Sequence, residues 1–258
     1  MPAPRTGARP HRRRRRPELL IGLLVIALGC TFLVLDRVPS GSGGAPADRP
    51  SREPQRAAEE ATGDAGEKDG EKKEEQPPLL RSVVGAVDSA DGELDVVPGG
   101  SDPVGDGTVK RYTVAVEKGL PGEAEDFAAA VETVLDDERG WASEGLSFER
   151  VDDGPVDFRV VLAAPATVDA LCAPLRTNGY TSCTTGDRAV INQNRWVDAV
   201  EEFGDDLETY RVYVLNHEIG HALGHGHVSC PGKGEPAPVM QQQTLGLNGC
   251  EPNGWVSP

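Results

Sequence analysis

Four of the chain's five histidines lie in one eleven-residue run, His217-Glu218-Ile219-Gly220-His221-Ala222-Leu223-Gly224-His225-Gly226-His227. His217 and His221 are four residues apart, so on a helix both imidazoles project from one face and reach a single metal ion. Glu218 follows the first of them and is placed to act on a water beside the metal rather than on the metal itself. Gly224 comes three residues after His221, where glycine accepts the left-handed turn that ends a helix. The reversed chain then brings His227 back as a third ligand. Three neutral imidazoles leave one position of a tetrahedral zinc ion open, the arrangement of a catalytic site; a structural site would use four protein ligands. A fortuitous His-rich tract would not also set a glutamate and a glycine at these positions. His225 is left over, solvated beside the site with no assigned role.

This pattern resembles the signature of the metzincin clan of zinc peptidases, H-E-x-x-H-x-x-G-x-x-H followed by a methionine turn. The second part is present as Pro238-Val239-Met240-Gln241-Gln242. The resemblance implies hydrolysis of a peptide bond. In that reading His217, His221 and His227 hold Zn2+, Glu218 acts as general base and then acid, and Met240 is a packing floor beneath the ligands. It also implies that substrate lies as an extra strand along a sheet edge above the metal. The candidate edge is Arg188 to Asn192, with Asn192, Arg195 and Trp196 as candidate cleft residues. Their alternative role is ordinary, as strand-end polar groups and a core tryptophan. Two positions depart from the clan: Val228 follows the third histidine, and Gln242 stands where some members place a tyrosine ligand. No subfamily is therefore assigned. Over about residues 80–258 the chain also resembles an uncharacterised family of exported actinobacterial proteins, through Asn192-x-x-Arg195-Trp196 and His225-Gly226-His227-Val228-Ser229-Cys230.

The elements that must carry these residues are legible in part. Val212, Leu215, Ile219 and Ala222 form a buried stripe beside the ligand face, so the motif sits on a final helix that Asp205 or Asp206 caps. Val109 to Val116 alternates as a strand, with Tyr112, Val114 and Val116 on one face. Pro121-Gly122-Glu123 opens a helix carrying Phe127, Val131, Val134 and Leu135. Phe148 to Val151, Val156 to Leu162 and Arg188 to Asn192 read as further strands, and a short helix follows Pro165. This order predicts an α+β fold of mixed layers, a metzincin-like twisted sheet with an active-site helix and a methionine turn.

Composition divides the chain. Its apolar share of 38% and aromatic share of 5% are too low for one uniform globule of 258 residues. Residues 1–38 carry a net of +6, eight Arg against Glu18 and Asp36, while residues 39–258 carry 18 bases and 40 acids, a net of −22. An acidic body repels phosphate backbones, which argues against a nucleic-acid partner. Leu19 to Leu35 is uncharged and mostly apolar between Glu18 and Asp36. It is long enough for a short membrane span, and the preceding Arg run places the following domain outside the cytoplasm. A cleaved signal peptide and a lipoprotein signal at Cys30 are the alternatives, and both export the same domain. The expected organisation is a basic cytoplasmic tail (1–17), an anchor (18–36), a disordered linker (37–78) and a zinc peptidase domain (79–258).

Cys172, Cys183, Cys230 and Cys250 form an even set in the exported part, as expected of two disulfides. Three pairings are possible; Cys172–Cys183 and Cys230–Cys250, which close the shorter loops, are favoured. Residues 79–258 hold 30 acids and 12 bases, a weak preference for cationic substrates. Two other functions share the motif: a zinc-bearing binding module of the cell envelope, and an amidase acting on cell-wall peptides. The expected partners are a peptide or protein substrate and, through the N-terminal helix, the membrane.

Overall fold

A computed structural model describes residues 76–82 and 84–258. The tail, the anchor and nearly all of the linker fall outside the described residues. Among the described residues, no helix is long and apolar enough to cross a membrane.

Among the described residues the fold is mixed α/β, an open sheet with four α-helices. The elements run β1 (Leu94–Val96), β2 (Thr108–Glu117), α1 (Ala124–Asp136), β3 (Leu146–Arg150), β4 (Phe158–Ala163), α2 (Pro165–Cys172), β5 (Cys183–Thr185), β6 (Arg188–Asn192), α3 (Gln193–Asp198) and α4 (Leu207–Ala222). The sheet order is β1-β2-β4-β6-β5, with β3 also paired to β2. The β2–β3, β2–β4 and β4–β6 pairs are parallel, while β1 and β5 pair antiparallel to β2 and β6. The central strands bury both faces, as parallel strands do when helices cover each side. Tyr112, Val114, Val160, Leu162 and Ile191 face α1 and α4 in the larger core. Ala115, Val161, Ala163 and Val190 face α2 in the smaller one, which includes Cys172 and Cys183.

The sequence-predicted strands fall where expected to within two residues, and Arg188–Asn192 to the residue. One assignment is corrected. Arg188–Asn192 is not an edge: it lies between β4 and β5. The edge is the three-residue β5, which the tight turn Gly186-Asp187 folds back onto β6, pairing Thr185 with Arg188. Both disulfides form with the favoured pairing, Cys172–Cys183 and Cys230–Cys250. The first joins α2 to the edge strand, and the second ties the loop after His227 to the C-terminal segment. Such bonds fit a domain that matures in an oxidising, extracytoplasmic compartment.

Candidate metal centre

Helix α4 begins at Asp206, whose side chain accepts from Thr209 N at 2.9 Å, one of the orphan donors of a first turn. Every residue from Tyr210 to Gly220 is buried, so packing fixes the helix on all sides. It ends in a Schellman motif: Gly224 N donates to His221 O at 3.0 Å and His225 N to Gly220 O at 2.9 Å. Gly224 takes φ +98°, open to glycine and costly for other residues. The reversal brings His227 back over the helix end.

His217, His221 and His227 each offer a ring nitrogen, and the three lie within 4.8 Å of one another. Their tautomers follow from their other partners. His217 Nδ1 stands 2.9 Å from the carbonyl of Val239, and His221 Nδ1 2.8 Å from that of His225. A carbonyl only accepts, so both Nδ1 atoms carry the proton and both Nε2 atoms present lone pairs. His221 Nε2 and His227 Nε2 approach to 2.9 Å. Ligands at about 2.1 Å on a tetrahedral ion stand about 3.4 Å apart, so a small opening of this pair seats a metal. Burial lowers the His217 pKa to about 3, and burial together with His221 lowers that of His227. Both rings therefore stay neutral, as a ligand requires.

Glu218 is buried and lines the same cleft as the three histidines. Burial pushes its carboxyl up to about 8, with a hydrogen bond from Thr184 acting the other way. A cation held by the three imidazoles would supply the opposite charge that the ionised carboxyl needs here. The donor set, the tautomers and this buried carboxyl together fit a metal ion.

The turn at Val239-Met240 braces two of the three histidines through its backbone. Val239 O accepts from His217, and Met240 O accepts from Val228 N at 3.1 Å, next to His227. A Cβ at Gly220 would collide with Met240 Sδ and the Trp141 ring, so glycine lets both pack under the helix. Trp141 Nε1 donates to Asn216 O at 2.9 Å, and the Trp141 ring packs against that of His225, tilted by 37° with centroids 4.3 Å apart.

The cleft is about 510 Å³ in volume, with Thr184 of the edge strand, Tyr213, Gln242 and Leu245 among its walls. That is a usual size for a small-ligand pocket. Asn192, Arg195 and Trp196 lie elsewhere. Asn192 is fully buried and caps α3, accepting from Asn194 N at 3.0 Å. Trp196 packs edge-on against Phe127, and Arg195 donates to Ala199 O and stacks over Tyr180. The capping role of Asn192 and the core role of Trp196 are the ordinary ones that residues of these types fill. Tyr213 was legible in principle, since it precedes His217 by one helical turn. Thr184 carries no local signal, because tertiary pairing alone sets it beside Glu218.

A search of curated proteins finds no match to this chain. Over residues 81–254, a span that takes in all three histidines, Glu218 and both disulfides, the chain belongs to the family described as Protein of unknown function (DUF3152).

Proposed function

We propose that this chain is a zinc-dependent peptidase of metzincin type, anchored in the membrane by residues 18–36 with its folded domain outside the cytoplasm. The observation that carries the reading is the convergence of three histidines, two with tautomers fixed to present Nε2, around a cleft that also holds the Glu218 carboxyl. The packing of Met240 against the ligand helix and the antiparallel edge strand at the cleft support the metzincin type.

His217, His221 and His227 would hold the zinc ion, which when bound supplies a Lewis acid that activates water near neutral pH and polarises a peptide carbonyl. Glu218 takes the proton of the attacking water and passes it to the leaving amine. Val239 O and His225 O hold two of the imidazoles in the tautomer that exposes Nε2. The open side of β5 offers backbone donors and acceptors to an extended peptide.

The test is a paired cleavage assay on the purified full-length chain. Zinc content is measured first; wild type and Glu218→Ala are then incubated with an unfolded protein and a peptide library. Cleavage by wild type alone, abolished by chelation, is expected. One bound zinc with no cleavage by wild type would overturn the peptidase reading and leave a metal-bearing binding module.

A further inference from the structure

Thr184 touches the general base twice. Its Oγ1 lies 2.7 Å from the backbone oxygen of Glu218 and 2.9 Å from Glu218 Oε2. It is the one side chain among the described residues that hydrogen-bonds this carboxyl. A threonine hydroxyl both donates and accepts. Its single hydrogen can go to the ionised carboxylate; once that group is protonated, Oγ1 can accept from it and give its own hydrogen to the backbone oxygen. The backbone oxygen of Glu218 only accepts, so it takes that hydrogen when the carboxyl does not, and either arrangement keeps the hydroxyl against the helix.

The support for Thr184 is rigid. It sits in the middle of β5, paired with Ala189 of β6. Its neighbour Cys183 is bonded to Cys172 in α2. A short edge strand would otherwise fray; here it is fastened on one side by the ladder and at one end by the disulfide. The same strand forms the wall along which an extended substrate would lie.

We infer that Thr184 is a positioning residue, which fixes the Glu218 carboxyl from the edge strand of the cleft. This rests on the peptidase reading for its catalytic consequence, but the geometric claim stands apart from it. A general base must lie within hydrogen-bond reach of the proton it takes. Side chains that orient such groups around a metal change activity by about 10–100-fold when removed.

The experiment compares the full-length chain with Thr184→Val, Thr184→Ser and, as a control on the same strand, Thr185→Val. Each is loaded with cobalt in place of zinc, and its visible absorption band is recorded. That band responds to what surrounds the metal and needs no substrate. The expected result is a shifted band for Thr184→Val, with Thr184→Ser and Thr185→Val matching wild type. With a cleaved peptide in hand, Thr184→Val is expected to lose about 10–100-fold in kcat with KM changed less than about twofold, and Thr184→Ser to recover most of the loss. Thr184→Ala is read by the same band if the valine variant does not fold. An unchanged cobalt band in the valine or alanine variant overturns the inference, as does a loss confined to KM. If wild type cleaves nothing, the peptidase reading falls while the cobalt band still decides the role of Thr184.

Discussion

Met240 packs its sulfur against the backbone of Gly220, in the last turn of the helix that carries His217 and His221. The contact explains a glycine inside a buried helix, where it would ordinarily cost about 0.5–1 kcal/mol relative to alanine. Any side chain there meets Met240 Sδ and the Trp141 ring. Gly220→Ala is thus expected to destabilise the protein by about 1–3 kcal/mol and to weaken zinc binding, because Val239, which orients His217, precedes the displaced methionine. Met240→Leu, which conserves volume, should cost less than about 1.5 kcal/mol. Urea unfolding and a zinc competition titration measure both. Equal stability of Gly220→Ala and wild type would show that the contact is not tight.

The raised pKa of Glu218 gives a sign-specific prediction for the metal-free chain. Its carboxyl moves from 4.5 to about 8 through burial. The favourable contribution of a raised carboxyl is complete below pH 4.5, where both states are protonated, and is lost as pH rises through about 8. Glu218→Gln removes that loss. Without metal, the variant should melt higher than wild type at pH 8, by about 2–4 °C for each kcal/mol regained in a domain of this size, and the two should converge below pH 4.5. His217, lowered to about 3 by burial, acts oppositely, its stabilising contribution fading as pH falls from 6.5 to about 3. It is common to both proteins and cancels in the difference. A zinc ion held by the three histidines, as proposed, would supply the missing positive charge, so the gain should vanish in the loaded protein. Melting curves from pH 4 to 9, with and without metal, decide it; a gain that persisted with zinc would place the ion away from Glu218.

How much of this could be read in advance depended on where the determining contacts lie. Helix α4, its ligands and its stop at Gly224 are local: i,i+4 spacing and one glycine carry them. Strand β2 and helix α1 announce themselves through Tyr112, Val114 and the Phe127–Val131–Leu135 face for the same reason. Strand β5 has only three residues, and its position comes from pairing with β6 and from the Cys172–Cys183 bond. Without it, Arg188–Asn192 looks like the outermost strand, and Asn192, Arg195 and Trp196 look like cleft residues. The sequence holds Thr184 and Glu218 34 positions apart, a contact no periodicity describes.

The Cys172–Cys183 bond should matter to the site through that strand. Replacing both cysteines by serine removes the tie at the end of β5 and leaves Thr184 held by the ladder alone. The double variant is expected to lose about 2–4 kcal/mol of stability and to show faster amide exchange at Thr184 and Thr185 than at β4. Hydrogen exchange resolved by residue tests this. Protection at β5 equal to wild type would mean that pairing with β6 suffices.

Arg211 is the most deeply buried cation among the described residues, and its partners predict where the fold is fastened to the preceding chain. It is fully buried on α4. Its Nε donates to Trp196 O at 2.7 Å, and Nη1 to Leu79 O and Arg81 O at 3.0 and 2.9 Å. The guanidinium also stacks over Trp196 at 4.4 Å, and burial lowers its pKa to about 10. All of these hydrogen-bond acceptors are neutral carbonyls, so the residue works as a clamp that joins Leu79 and Arg81 to the ligand helix. Arg211→Met fills the volume but leaves these carbonyls without their donor. Each buried unsatisfied group costs about 1–3 kcal/mol, offset in part because a desolvated charge is also removed. The net loss should be about 2–4 kcal/mol, and trypsin should cut after Arg81 much faster than in wild type. Zinc affinity should stay within about threefold, because the ligands lie one to three turns further along the helix and beyond it. Unchanged proteolysis at Arg81 would show that contacts other than the guanidinium hold the segment in place.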